Sequence, residues 1–161
     1  MPNLPDKIII HHTADSSNLE QFDKVNNWHK TQQFPRSSLG YYCGYHAFIE
    51  RNGKTTFARM YDEIGAHTLG ENRESVGICM AGNFDFESPT EAQKNQLTQI
   101  CMSLMTFYKI PINRIYGHRD FRQTSCPGKN ITIRQVQLAV VQAEINIIKK
   151  AILWWKIFLG K

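Results

Sequence analysis

Residues 8–14 read IIIHHTA, and residues 116–128 read YGHRDFRQTSCPG. The first stretch, starting at Lys7, is a β-branched apolar run that ends on two histidines, and Lys7–His12 reads as a short buried strand. The second puts His118 and Cys126 in one loop behind a short strand at Ile115–Tyr116. An imidazole nitrogen and a thiolate are the two ligand types that a borderline-soft ion such as zinc prefers. Folding must bring the two stretches together. Three protein ligands then leave a fourth coordination position open, which is the arrangement of a catalytic metal site rather than a structural one. Successive side chains of a strand face opposite sides, so only one of His11 and His12 reaches a site on a given face. Ile8, Ile9 and Ile10 are all apolar, so alternation alone does not choose between them. A lone histidine at a strand end is more often structural than a ligand; the His118–Cys126 loop is what turns the reading toward ligation.

Working outward, Ser17-x-x-Glu20 has the pattern of a capping box and predicts a helix to about Lys30, with Phe22, Val25, Trp28 and His29 as its inner face. Phe34–Gly44 reads as a long loop. Tyr45–Glu50 and Thr55–Arg59 flank Asn52-Gly53, a strong hairpin signal because both residues tolerate positive φ. Ser75–Ala81 is a second buried strand. Ser88-Pro89-Thr90-Glu91 opens a helix in which proline fits the first turn. Leu97, Ile100, Cys101, Leu104, Met105 and Tyr108 then follow helical spacing. A last helix is expected from about Thr132 almost to the final residue. Strands, crossover helix and hairpin together predict an α/β fold: a central mixed β-sheet flanked by helices, with a basic amphipathic helix at the C-terminus.

The 161 residues amount to one domain with enough apolar sequence for a core, and 42% hydrophobic and 20% charged residues are ordinary globular values. Net charge is +5. Lys149, Lys150, Lys156 and Lys161 against Glu144 alone place much of that excess in residues 144–161. A basic balance suits polyanions: nucleic acid, anionic lipid or anionic wall polymer. No basic cluster interleaved with aromatics occurs elsewhere, so nucleic acid is not an expected partner. The N-terminal MPNLPDKIII lacks the pattern of a secretory signal, and Cys43, Cys79, Cys101 and Cys126 are too scattered for a disulfide framework. Synthesis in a reducing host cytoplasm is the expectation, with Cys43 and Cys79 able to pair only in an oxidising compartment.

Taken together, IIIHHTA (8–14), WHK (28–30), GYHAFIERNG (44–53), GAHTLGENRESVGICMAGNF (65–84) and GHRDFRQTSCPG (117–128) resemble the zinc-dependent N-acetylmuramoyl-L-alanine amidases of phage lysozyme type. That family shares a fold with the peptidoglycan recognition proteins. The blocks run in family order over roughly residues 7–130. The resemblance implies that His11, His118 and Cys126 bind Zn2+ and that Tyr45 aims its hydroxyl at the reacting carbonyl, where negative charge develops. Phage members often carry lysine two residues before the cysteine ligand; this chain has Thr124, as recognition-protein amidases do, and Thr124 is assigned to the oxyanion without bringing a charge to it. His67 and Asn72 match a cleft-lining segment and are assigned to substrate contact, the alternative being a polar loop pinned by side chain–backbone hydrogen bonds. Arg119 and Asp120 are placed to orient the ligand beside them. His29 and His46 read as structural.

The implied activity is cleavage of the lactyl amide between N-acetylmuramic acid and L-alanine in bacterial peptidoglycan, by a phage or prophage endolysin that acts on the wall after release. Two other readings stand beside it: a non-catalytic peptidoglycan-binding module and an intracellular muropeptide-recycling amidase. The expected division is an amidase domain over 1–143 and an amphipathic helix over 144–161. In that helix Leu138, Val141, Ile145, Ile148, Ile152, Trp155 and Leu159 form one seam. Docking on the sheet accounts for it up to about Ile148. Beyond that point docking, oligomerisation and contact with an anionic membrane remain open, because one seam on a small domain does not easily bury Leu153, Trp154, Ile157 and Phe158 as well.

Overall fold

A computed structural model describes residues 4–160, so Met1–Asn3 and the Lys161 counted in the basic segment lie outside the described residues. In chain order the elements are β1 (Lys7–His12), α1 (Phe22–Thr31), β2 (Ala47–Ile49), β3 (Thr55–Phe57), β4 (Ser75–Met80), α2 (Glu91–Tyr108), β5 (Ile115–Gly117) and α3 (Ile133–Phe158). Single 3₁₀ turns at Ile112–Arg114 and His118–Asp120 bracket β5. The strands form one sheet in the order β3-β2-β4-β1-β5. Only the β2–β3 hairpin is antiparallel. The expected mixed sheet is therefore present, with β4 at its centre and β1 between β4 and the edge strand β5. A parallel strand covered on both faces needs apolar side chains in both directions, which is why Ile8, Ile9 and Ile10 do not alternate with polar residues.

The sheet separates two cores. On one face Ile8, Ile10, Ile49, Val76, Ile78 and Met80 pack with Leu97, Ile100, Cys101 and Leu104 of α2 and Val140 of α3. On the other, Phe48, Cys79 and Ala81 meet Phe22, Cys43 and Ala58, with Val25, Tyr41 and Tyr45 against them. His11 pairs in register with Cys79, and it belongs to this second, α1-bearing side.

Helix α3 departs from the expected packing. Its docked residues are Ile133, Val136 and Val140, and Val140 is the helix's one buried residue. The predicted seam points elsewhere: Leu138 is 58% exposed and Ile148 is equally so. From Ile145 through Gly160 every residue is exposed. Docking thus ends by Glu144, a turn earlier than the sequence suggested, because Ile133, Val136 and Val140 supply the 3–4 spacing on a different stripe of the helix. The helix is continuous through residue 144, the boundary expected between domain and amphipathic segment.

Helix starts show where local signals succeed. Thr90 and Gln93 form a reciprocal capping box on α2, and Thr132 and Gln135 form another on α3. Pro89 precedes the Thr90 cap instead of sitting in the first turn. At α1 the Ser17-x-x-Glu20 box does not form. Ser17 Oγ accepts from Leu19 N instead, and the helix begins at Phe22 after an N-cap Gln21 that makes no side-chain cap bond. The cap comes from far away in sequence: buried Glu50 accepts from Gln21 N at 2.9 Å and from Phe22 N at 2.8 Å. A carboxylate at a helix N-terminus satisfies orphan donors and complements the dipole. Trp28, expected on the inner face, is instead 57% exposed, while Phe22 and His29 are buried. Glu50→Ala strips two buried N–H groups of their acceptor and should lower unfolding free energy by about 2–4 kcal/mol. Glu50→Gln should cost less; urea denaturation of both variants, followed by circular dichroism, measures the difference.

Candidate metal centre

β1 delivers its two histidines to opposite sides of the sheet. His12 is occupied structurally: its Nδ1 accepts from Phe84 N at 3.1 Å and its ring lies 5.9 Å from that of Phe84. His11 faces the other way. Its Nδ1 lies 3.8 Å from Cys126 Sγ, while its Nε2 lies 3.1 Å from His67 Nδ1 and 3.3 Å from Thr68 Oγ1. Burial, then the neighbouring His67 and His118, hold the His11 pKa well below the usual histidine range. Its ring is therefore neutral at physiological pH, the form that donates a lone pair to a metal. Alternation left the choice between the two histidines open; it is His11, not His12, that lies with His118 and Cys126.

The other two groups come from the segment after β5. His118 opens a 3₁₀ turn whose entry is fixed by Asp120, as Asp120 Oδ2 accepts from Gly117 N at 2.8 Å. Arg119 ties this turn to the cysteine loop: its backbone N–H donates to Cys126 O at 2.8 Å, and its guanidinium donates to the carbonyls of Gly128 and Ile131. Thr124 Oγ1 accepts from Cys126 N at 3.2 Å, and Asp85 accepts from Ser125 Oγ and from Lys129 N. The Cys126–Pro127 peptide is cis. Gly128 has φ +99°, and a Cβ there would lie 2.4 Å from the Phe84 backbone, so the loop passes Phe84 only because the residue is glycine.

The result is a compact donor set. The ligand atoms of His11, His118 and Cys126 all lie within 4.8 Å of one another. His11 is buried, while His118 and Cys126 are half-buried, so the cluster has one side open toward solvent. Burial pushes the Cys126 thiol up to about 11, against the opposing pull of the His12 N–H, 3.4 Å from Sγ, and of Arg119.

Tyr45 stands over this cluster, its ring centroid 5.0 Å from that of His11. Burial first, then the thiols of Cys79, Cys126 and Cys43, with a side-chain hydrogen bond between Tyr45 and Cys79, keep its phenol well above the usual range, so it remains protonated. Thr124 is exposed beside the cysteine loop; its oxygen is engaged but its proton is free to donate. His67 lies behind His11: besides that contact, its Nδ1 is 3.1 Å from Thr68 Oγ1 and its Nε2 3.4 Å from Ser75 Oγ. Asn72 Oδ1 accepts from both His67 N and Thr68 N at 2.8 Å, the loop-pinning arrangement that was the alternative reading of this segment. His29 accepts from Gly44 N, and His46 accepts from Gly77 N. Thr68 and Asp85 were not foreseen; Thr68 lies in a family-like block and Asp85 directly after one, but nothing local marks a threonine or an aspartate as a buttress.

The sequence family described as N-acetylmuramoyl-L-alanine amidase (Amidase_2) matches residues 1–129. The chain belongs to this family. Among its relatives, peptidoglycan-recognition protein SC2 of Drosophila melanogaster is 30% identical over 125 residues, covering 76% of this chain and 68% of that protein. The endolysin of Enterobacteria phage K11 is 29% identical over 128 residues, covering 76% and 80%. The solved N-acetylmuramoyl-L-alanine amidase LysC from Clostridium intestinale URNW superposes with a TM-score of 0.74 at 30% identity, over 89% of this chain and 87% of that one. The family match ends before α3 begins.

One glycine of this amidase domain has a specific packing duty. His67 lies flat on β4 at Gly77, where a Cβ would sit 2.5 Å from the imidazole ring. Gly77→Ala should displace His67 from His11 and cost about 1–3 kcal/mol of stability. Calorimetry gives the loss, and a changed His11 imidazole resonance in NMR spectra reports the displacement; an unaltered resonance would contradict the packing argument.

Proposed function

We propose that this protein is a peptidoglycan hydrolase of the endolysin kind, an N-acetylmuramoyl-L-alanine amidase that uses zinc held by His11, His118 and Cys126. The observation that carries the reading is the convergence of these three side chains, from opposite ends of a family-matched segment, with ligand atoms within 4.8 Å of one another. The donor set suits zinc. In a tetrahedral site the sulfur–nitrogen edge is about 3.6 Å, from bond lengths near 2.3 and 2.0–2.1 Å, and the His11–Cys126 separation is 3.8 Å. A half-buried thiol raised to about 11 is a group whose ionised form a nearby cation stabilises.

When bound, zinc supplies Lewis acidity and acidifies water toward neutral pH. The chain's own residues supply the rest. His67 and Thr68 fix the His11 ring from behind so that Nδ1 faces the cluster, and Arg119 and Asp120 hold the cysteine loop and the His118 turn in register. The Tyr45 phenol, kept protonated, donates to the amide oxygen as it becomes negative, and Thr124 adds an uncharged donor beside it. His67 and Asn72, expected to touch substrate, serve on this reading as supports of His11 and of the loop below it. A non-catalytic binding module is disfavoured because the complete ligand set is retained. The exposed apolar half of α3 is not required by an enzyme acting on small soluble fragments, which favours a wall-directed lysin over a recycling amidase.

Cys126→Ser should leave the fold unchanged by circular dichroism yet lose most of one zinc equivalent per chain and more than about 100-fold in activity, since second-shell changes alone cost 10–100-fold. Metal analysis and turnover of the purified protein test both; a fully active Cys126→Ser protein rules out the proposed ligand set. Tyr45→Phe should reduce turnover by about 10²-fold with zinc content unaffected. Digestion of purified sacculi should release new L-alanine amino termini; reducing sugar ends without them would mean glycosidic cleavage.

A further inference from the structure

The half of α3 beyond Glu144 is an unpartnered helix of defined polarity. At 100° per residue, Trp154, Phe158, Trp155, Ile148, Ile152 and Ile145 fall on one half of its circumference. Lys149, Lys150 and Lys156 fall on the other, with Asn146 and with Leu153 and Ile157 between them. The apolar half is open: Trp154 is 72% exposed, Trp155 64% and Phe158 82%. No acidic residue follows Glu144. Among the described residues no helix is long and apolar enough to cross a membrane. The fourteen residues from Ile145 to Phe158 extend about 21 Å, short of the roughly 30 Å hydrocarbon core.

We propose that residues 145–159 form a membrane-surface anchor that lies in the interface of an anionic phospholipid bilayer, with the tryptophan-bearing half buried and the lysines at the headgroups. Charge decides the occupant. Two copies packed through their apolar halves would leave the lysines of both unanswered, since neither segment holds a carboxylate. An anionic lipid surface matches every charge on the segment. Indole rings favour the interfacial depth, where the apolar body is buried and the N–H stays wet, and long lysine stems reach from there to the headgroups. An arc this wide, flanked by lysines and joined to a folded domain by an uninterrupted helix, is the pattern of an in-plane helix. The amidase site and this surface belong to separate parts of the chain, so the anchor stands or falls independently of the proposed catalysis.

The test uses the full chain carrying Trp28→Phe, because Trp28 is itself exposed and would otherwise contribute to the emission. Vesicles of phosphatidylglycerol and phosphatidylethanolamine should shift tryptophan emission to shorter wavelength and carry the protein down on sedimentation. Phosphatidylcholine vesicles should bind far less, and 0.5 M salt should release the protein, since screening weakens surface attraction. Each lysine near the surface contributes about fivefold to partitioning. The triple variant Lys149→Glu, Lys150→Glu, Lys156→Glu should therefore lose about 100-fold or more while keeping the wild-type melting curve. Absence of any shift on anionic vesicles overturns the proposal. Equal binding to neutral vesicles, untouched by charge reversal, overturns its electrostatic basis. A stable dimer in analytical ultracentrifugation that ignores vesicles assigns the surface to a second copy instead.

Discussion

Every side chain of β1 from Lys7 to His12 is buried, so each polar group on it must find a partner inside the protein. The surrounding architecture follows from that requirement. Lys7 pairs with Glu71 at 2.7 Å and Glu74 at 3.4 Å, which anchors the start of β4. His12 takes the Phe84 N–H and fixes the turn after β4. His11 draws in His67, Thr68 and the cysteine loop. Three loops distant in sequence are thus held by three polar residues on one strand. The His11–His118–Cys126 cluster is one outcome of satisfying that strand.

Sequence patterns gave the elements wherever the signal was local. The Asn52-Gly53 turn, the Leu97–Leu104 stripe and the buried run at Ser75 depend on neighbours a few residues away, and they appear where expected. The failures arise from long-range competition. Ser17 and Glu20 have the right spacing for a cap, but Glu50 outcompetes them because its carboxylate is buried and already aimed at the helix start. The His11–His118–Cys126 set was legible through motif resemblance. The parity of β1 was not, since three isoleucines conceal it. Nor could the sequence show that His67 packs on Gly77 and reaches His11, contacts that only the fold creates.

Helix α3 carries two stripes with different duties. Ile133, Val136 and Val140 close the core over α2 and β5. The seam from Leu138 to Leu159 is longer and more regular, and a periodicity argument selects it first, yet it faces away from the domain. Hydrophobic period identifies a helix face without identifying what the face meets. Composition carries the missing signal: the docked stripe is β-branched, whereas the free stripe carries Trp155 and runs beside Trp154, Phe158 and three lysines.

The sheet order has a consequence for the timing of activity. β1 emerges first during synthesis, but its neighbours β4 and β5 come much later, and Cys126 lies 115 positions from His11. Such nonlocal closure is slow relative to local helix formation. A nascent chain halted before β5 lacks two of the three clustered donors and the strand beside β1 that supports them. The three-donor cluster therefore cannot assemble until the chain has been made through Cys126, however early β1 appears.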